Sequence, residues 1–184
     1  MIMEVSIKTF FFLGITVEDE YTYIGLDKIM EHAENIDLTQ VLKHNAGKIE
    51  IRCDGQTFQV NLENLEYLFR GLLNNAEHII QNKPFVLTLL LSELETLYGF
   101  PINNDVFVLE KTLDNEDYTS LDKGRYRSEE EHLMQRIFLY KSDFIAQLCS
   151  EAEIFISKMR LIKEPNFADW WGKDIKKIRN IVAK

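Results

Sequence analysis

The chain has 184 residues, of which 46% are hydrophobic and 28% charged, with a net charge of -9 and two cysteines. This composition is typical of one globular domain and excludes a disordered or fibrous chain. Two cysteines exclude a disulfide framework and a cysteine-rich zinc site, which favours a reduced, cytoplasmic protein. We therefore expect a single domain over residues 1–184, with residues 166–184 either inside it or forming a C-terminal helical appendage.

The charge is unevenly distributed along the chain. Residues 158–184 hold eight Lys/Arg and three Asp/Glu, so this stretch carries +5 and the remainder -14. An acidic body argues against nucleic acid as a partner and favours a basic protein surface. No apolar run approaches the length of a transmembrane helix, and no membrane partner is expected. For the basic C-terminal helix, a solvated face is expected, and the alternatives are contact with an anion, a membrane surface or an acidic partner.

The first quarter of the chain predicts strands and short helices. Apolar residues alternate from Val5 and then run continuously through residues 10–13, a pattern typical of a strand inside a sheet. A short strand is predicted at residues 21–24. Two short helices are predicted at residues 26–34 and 37–43, the second capped by Asp37.

A β-hairpin followed by a long helix is the clearest pattern in the sequence. Asp54-Gly55 separates two alternating runs, and this dipeptide favours a tight turn because both central residues need positive φ. The expected register puts three pairs on one buried face: Cys53 with Gln56, Ile51 with Phe58, and Ile49 with Val60. Asn61 is the expected N-cap of a helix whose apolar residues run from Leu62 to Ile80 at steps of three and four.

Residues 84–112 predict a second antiparallel pair. Pro84 stops the long helix, and residues 85–91 predict a strand that extends towards Tyr98. Residues 99–104 contain Gly, Pro and Asn and predict a turn before a strand at 106–112. A helix over residues 87–97 is the alternative for this region.

An acidic segment, residues 113–131, carries a net charge of -4 and few apolar residues. It is expected to be either a solvated loop or a binding surface for a basic partner, because long loops often carry function and tyrosines among charges are common at interfaces. Ser128 and Glu131 also fit a capping box. The candidate partner-binding residues are Asp114, Glu116, Asp117, Tyr118, Asp122, Glu129, Glu130 and Glu131.

A strand followed by a helix recurs near the C-terminus. Residues 137–140 predict a strand, Ser142 a helix cap, and Pro165 a helix end, before a last basic helix at 167–182. A shift of 80 residues aligns the two strand-helix units: Phe58 with Phe138, Leu65 with Ile145, Leu68 with Leu148, Phe69 with Cys149, Leu72 with Ala152, and Ala76 with Ile156. The predicted fold is α+β: an antiparallel sheet of five to seven strands, two long helices across one face, and the C-terminal basic helix with Trp171, Ile175, Ile178 and Val182 on its packing side.

The sequence contains no catalytic signature. It lacks a phosphate-binding glycine loop, a nucleophile elbow and an HExxH motif, and its histidines have no metal-ligand spacing. His132 after three glutamates fits either a carboxylate-imidazole site or a solvated helix start. Cys53 and Cys149 are expected to be buried as small apolar residues. We therefore expect a protein that is not an enzyme and has no cofactor or metal.

The order of elements resembles that of small acidic bacterial immunity proteins, which neutralise toxins of contact-dependent and related secretion systems. The resemblance covers residues 49–161: the hairpin, NLENLEYLFRGLL, the second hairpin, the acidic segment and IFLYKSDFIAQLCSEAEIFI. It implies that the chain binds the toxic domain of a secreted toxin, in many cases a nuclease with a basic cleft towards which an acidic inhibitor is electrostatically steered. The alternative is a non-catalytic adaptor or complex subunit that uses the same acidic surface.

Overall fold

The structure, a computed structural model, describes residues 5–15, 21–31, 37–62, 64–89, 95–113, 133–161 and 169–182. These segments contain the following elements: β1 Ser6–Ile15, β2 Tyr21–Gly25, α1 Leu38–His44, β3 Gly47–Cys53, β4 Gln56–Leu62, α2 Leu65–Ile80, β5 Phe85–Leu89, β6 Glu95–Pro101, β7 Val106–Thr112, β8 Leu133–Tyr140, α3 Lys141–Met159 and α4 Asp169–Val182.

The strands form two antiparallel four-stranded sheets. Sheet A has the order β2-β1-β3-β4 and sheet B the order β5-β6-β7-β8. The predicted α+β class is confirmed, whereas the expectation of one sheet with five to seven strands is wrong. The reason is that the 16-residue helix α2 separates β5 from β4. β5 then pairs with β6 and begins a second sheet.

Each long helix bridges the two sheets. α2 contacts β3 of sheet A together with β5 and β6 of sheet B, while α3 contacts β8 of sheet B and β1 of sheet A. Phe155 of α3 lies at the centre of the resulting core. Its ring centroid is 4.9 Å from that of Phe69 in α2, 6.0 Å from that of Phe11 in β1 and 6.2 Å from that of Trp171 in α4. One strand and three helices therefore meet at this side chain.

The hairpin prediction is confirmed. β3 and β4 pair with Cys53 opposite Gln56, Ile51 opposite Phe58 and Ile49 opposite Val60. Asp54 has φ +50° and Gly55 +76°, the positive values that a two-residue turn of this type requires. Among the six residues of these three pairs only Gln56 is exposed.

The predicted caps of both long helices are wrong, although that of α1 is confirmed. Asn61 remains in β4, and Asn64 caps α2 because its side chain accepts a hydrogen bond from the Tyr67 N–H at 3.0 Å. α3 follows β8 directly, and its N-cap Tyr140 makes no side-chain capping bond, while Ser142 lies inside the helix. In α1, Asp37 accepts from the Gln40 N–H at 3.1 Å as expected.

Three further local predictions are wrong. The strand expected to extend from residue 85 towards Tyr98 is two strands, β5 and β6, which pair antiparallel. Residues 26–31 form hydrogen-bonded turns rather than the start of a helix, and residues 32–36 lie outside the described segments. Residues 99–101 belong to β6, where they pair with β7, and the turn follows them. Asn103 fixes that turn because its side-chain oxygen accepts from the N–H groups of Asp105 and Val106 at 2.8 and 2.9 Å.

The shift of 80 residues that aligns the two strand-helix units matches the burial of their helices but not that of their strands. All ten helix residues that it aligns in α2 and α3 are buried. Phe58, however, is 1% exposed, whereas Phe138 is 50% exposed, and the buried residues of β8 are Ile137 and Leu139. The second strand is therefore offset by one residue, which reverses the faces of a strand because side chains alternate with period two.

The C-terminal helix packs through the side that its apolar spacing indicates. Trp171, Ile175 and Ile178 are buried, and the side chain of Val182 lies outside what is described. Lys177 and Arg179 form exposed ion pairs with Glu77 and Glu153, so the basic side of α4 lies in water. None of the helices described is long and apolar enough to cross a bilayer.

Candidate functional site

The acidic segment joins two adjacent strands of sheet B. β7 ends and β8 begins at the paired residues Thr112 and Leu133, so both ends of the segment emerge side by side. The eight candidate partner-binding residues, and the Ser128-Glu131 capping box, lie between residues 114 and 131, outside the described part of the chain. The structure therefore places the base of this segment at one end of the β7-β8 pair.

An exposed apolar row lies on β8 beside that base. Met134 and Phe138 are 42% and 50% exposed, and Arg136 between them is also exposed. These residues alternate with the buried Ile137 and Leu139, so the row lies on the opposite side of β8 from those buried side chains. The predicted strand began only at residue 137, which is why this row was missed. The alternation of Met134, Arg136 and Phe138 was the available signal.

Neighbouring strands support this row. Val108 lies opposite Phe138, and Phe100 lies opposite Val108 on the next strand. The rings of Phe100 and Tyr98 stack with centroids 6.2 Å apart and planes within 11°. Phe138 is exposed, whereas Val108 and Tyr98 are buried, so the exposed apolar area of this row lies on β8.

An ion pair orders the polar part of the same face. Nε of Arg136 lies 2.6 Å from Oε1 of Glu110, whose side chain is 6% exposed while that of Arg136 is 38% exposed. The carboxylate is therefore held beneath the surface, and the guanidinium lies partly in water. We define the β8 face as Met134, Arg136 and Phe138 together with Val108 and Glu110, which lie opposite Phe138 and Arg136 on β7.

The open face of sheet A carries a denser polar network. The Glu50 carboxylate accepts from Lys48 at 2.9 Å, from Arg52 at 2.8 Å and from the Gln59 side chain at 3.0 Å. Burial alone would raise the pKa of Glu50, but the bonds from Lys48 and Arg52 outweigh it and lower the pKa. Lys48 also lies over the rings of Phe10 and Tyr23, so its charge is already satisfied within the fold.

The net negative charge of the chain lies outside the described segments. The described segments contain 16 of the 21 Lys/Arg and 15 of the 30 Asp/Glu, so their net charge is about +1. The other stretches contain 5 Lys/Arg and 15 Asp/Glu. The sequence expectation of an acidic body is thus refined: the strands and helices are close to neutral. The candidate acidic surface is a property of the segment between β7 and β8 and of the other undescribed stretches.

A buried lysine beside a cavity of about 440 Å³ is structural rather than nucleophilic. Lys141 Nζ donates to Asn82 Oδ1 and to the backbone oxygens of Asn103 and Asn104, the last at 2.9 Å. Three acceptors match the three N–H groups of an ammonium ion, and a neutral amine would leave a lone pair facing oxygen. Burial lowers the pKa of Lys141, and the charge of Asp105 offsets only part of this effect. The residue fastens the β6-β7 turn to the end of α2.

The cysteines and histidines form no catalytic group in the described segments. Cys53 and Cys149 are both buried, as expected, and burial raises the pKa of each thiol, which disfavours the reactive thiolate. His44 and His78 are exposed, while His32 and His132 lie outside the described segments. Within the same segments no three His, Cys, Asp or Glu side chains are grouped to hold a metal ion.

Comparisons of this chain with protein-family models, with curated proteins and with solved structures find no match. The sheets, the β8 face and the cavities must therefore be interpreted from their own chemistry.

Proposed function

We propose that this chain is a cytoplasmic protein-binding module that recognises a basic protein, and more specifically an immunity protein that neutralises a secreted bacterial toxin by binding its toxic domain. The observation that carries the proposal is the position of the β8 face beside the base of the acidic segment. An apolar patch bordered by charge is the usual composition of a protein interface, with aromatic, Met and Arg residues at its centre.

The two parts of this surface have different physical roles. Phe138 and Met134 supply apolar area that a partner would bury, which lowers the dissociation rate. The carboxylates of residues 114–131 supply a negative field that raises the association rate with a basic protein. Because the described strands and helices are close to neutral, the field that steers a basic partner comes from the acidic segment, with a net charge of -4, and from the other acidic stretches outside the described segments.

The test begins with capture of partners from native lysate and their identification by mass spectrometry. Association of the captured protein is then followed by stopped flow at two salt concentrations. Replacing Asp114, Glu116 and Asp117 by lysine should slow association, because the electrostatic attraction to a basic partner is weaker. It should also reduce the salt dependence of the association rate, because salt then screens a smaller attraction. Salt-independent association, or unchanged binding by the triple variant, would place the interface elsewhere.

A second pair of variants tests the apolar part. Phe138→Ser should accelerate dissociation, whereas Ile102→Ser should not, although Ile102 is 55% exposed and thus a matched apolar surface residue in the β6-β7 turn. The specific assignment to immunity is tested in cells that produce the captured partner. Wild-type chain should protect them if the partner is a toxin, and the triple variant should not. A non-toxic partner would support an adaptor instead.

A further inference from the structure

A second cavity, of about 470 Å³, lies where β2 ends beside β1 and against α3. Its volume is within the range of about 300–1,000 Å³ that small-molecule sites occupy. Its lining includes Ile7 and Thr9 of β1, Asp27 after β2, and Glu151 of α3. It shares no residue with the β8 face.

The cavity borders an open edge of β1. β2 pairs with β1 only from Phe10 onwards, and the last bond on this side runs from the Leu26 N–H to the Thr9 oxygen at 2.8 Å. Beyond it, Glu151 Oε1 accepts from the Thr9 N–H at 2.7 Å. Backbone groups alternate between the two edges of a strand, so the N–H and C=O of Ile7 point the same way. No described residue is hydrogen-bonded to them.

Glu151 is a partly buried carboxylate without an ion-pair partner in the described segments. Burial raises its pKa, and the hydrogen bond from the Thr9 N–H and the charge of Lys8 offset only part of this rise. A carboxylate withdrawn from water gains stability from a cation brought into contact with it.

The hydroxyl of Thr9 is a second unsatisfied polar group at this cavity. Thr9 is 2% exposed, and its hydroxyl has no hydrogen-bond partner among the described residues, which is costly for a buried polar group. Thr9 lines the cavity next to Glu151. A ligand with several donors would satisfy the hydroxyl, the carboxylate and the free Ile7 oxygen together.

We propose that this cavity binds a guanidinium group, held by the Glu151 carboxylate, the Thr9 hydroxyl and the Ile7 carbonyl oxygen, with Asp27 as a second anion. Guanidinium carries five N–H donors in a rigid plane and no acceptor, which suits several separate acceptors better than an ammonium ion does. The group can come from free arginine or from an arginine side chain of a protein. Exposed Lys8 and Lys28, which also line the cavity, would pair with the carboxylate of the free amino acid and distinguish the two sources.

The experiment is titration of the ¹⁵N-labelled full chain with L-arginine, with Nα-acetyl-L-argininamide and with L-citrulline. Citrulline has nearly the shape of arginine but a neutral urea group. The guanidinium compounds should shift the amide signals of Ile7, Thr9 and Glu151 saturably, and citrulline should not. Tighter binding of free arginine would identify the amino acid as the source. Equal or tighter binding of the capped compound would identify a protein side chain.

Glu151→Gln provides the critical variant, because its amide oxygen can still accept from the Thr9 N–H while the charge is lost. It should weaken binding of the guanidinium compounds by about tenfold or more. Glu153→Gln, which neutralises an exposed carboxylate on the same helix, is the matched control and should bind as the wild type does. Absence of shifts, equal shifts with citrulline, or unchanged binding by Glu151→Gln would each overturn the proposal.

Discussion

The backbone N–H of Gln59 donates to Oε1 of Gln135 at 2.8 Å and joins the edge of β4 to β8. Cys53 and Gln56 close a two-residue turn, so the alternation of bonds leaves the Gln59 N–H pointing away from β3. A side-chain amide therefore occupies a position that a strand of another molecule would otherwise pair with. The two sheets are fastened here by a side chain rather than by a backbone ladder.

Gln135→Ala should destabilise the protein by about 1–3 kcal/mol, because the Gln59 N–H loses its acceptor in a partly buried position. Gln135→Glu keeps an acceptor oxygen and should lose less. Urea unfolding followed by circular dichroism measures both. Equal losses in the two variants would mean that the packing of the side chain, rather than its hydrogen bond, stabilises this joint.

Gly99 of β6 lies opposite Phe85 of β5, and a Cβ at this glycine would lie 1.9 Å from Cε1 of the Phe85 ring. Gly99→Ala should therefore cost about 1–3 kcal/mol or more, because the ring must leave its packed position. Gly172→Ala in α4 is the matched control, because its added Cβ meets no atom of the described residues within 4 Å. That variant should gain about 0.5–1 kcal/mol from helix propensity. Thermal unfolding of both variants would show opposite shifts, and a stable Gly99→Ala protein would contradict the close approach.

Glu50 should contribute stability that depends on pH. The hydrogen bonds from Lys48 and Arg52 lower its pKa below the ordinary value of 4.5, so the folded state favours the carboxylate. This contribution is fully present above pH 4.5 and is lost as the pH falls through the folded pKa. Glu50→Gln should be less stable than wild type at neutral pH, and the difference should shrink in acid. Urea unfolding at a series of pH values measures it, and a pH-independent difference would contradict the assignment.

Glu151 should show the opposite dependence. Burial raises its pKa above 4.5, so the folded state favours the protonated form and stability falls as the pH rises from 4.5 through the folded pKa. Glu151→Gln removes this loss and keeps an acceptor for the Thr9 N–H. We expect the variant to be more stable than wild type at neutral pH and equal to it in strong acid. A variant that is less stable at neutral pH would show that the charge is compensated in the folded state.

Local patterns determined much of the fold. The Asp54-Gly55 hairpin and the buried stripes of α2 and α3 follow from turn chemistry and from side-chain spacing, which act between near neighbours. The same reasoning failed at strand ends. Asn61 and Gly99 have the composition of a cap and a turn, yet pairing with Lys48 and Leu109 keeps them in strands.

The sequence by itself determined the α+β class, the hairpin register, the burial of both cysteines and the packing side of α4. Only the tertiary structure decided that the strands divide into two sheets, that Phe138 is exposed, and that Glu151 meets Thr9 across 142 positions of the chain. The physical reason is that pairing partners and helix crossings depend on contacts between distant residues. Those contacts are decided by the packing of the whole core around Phe155, and no local pattern encodes them.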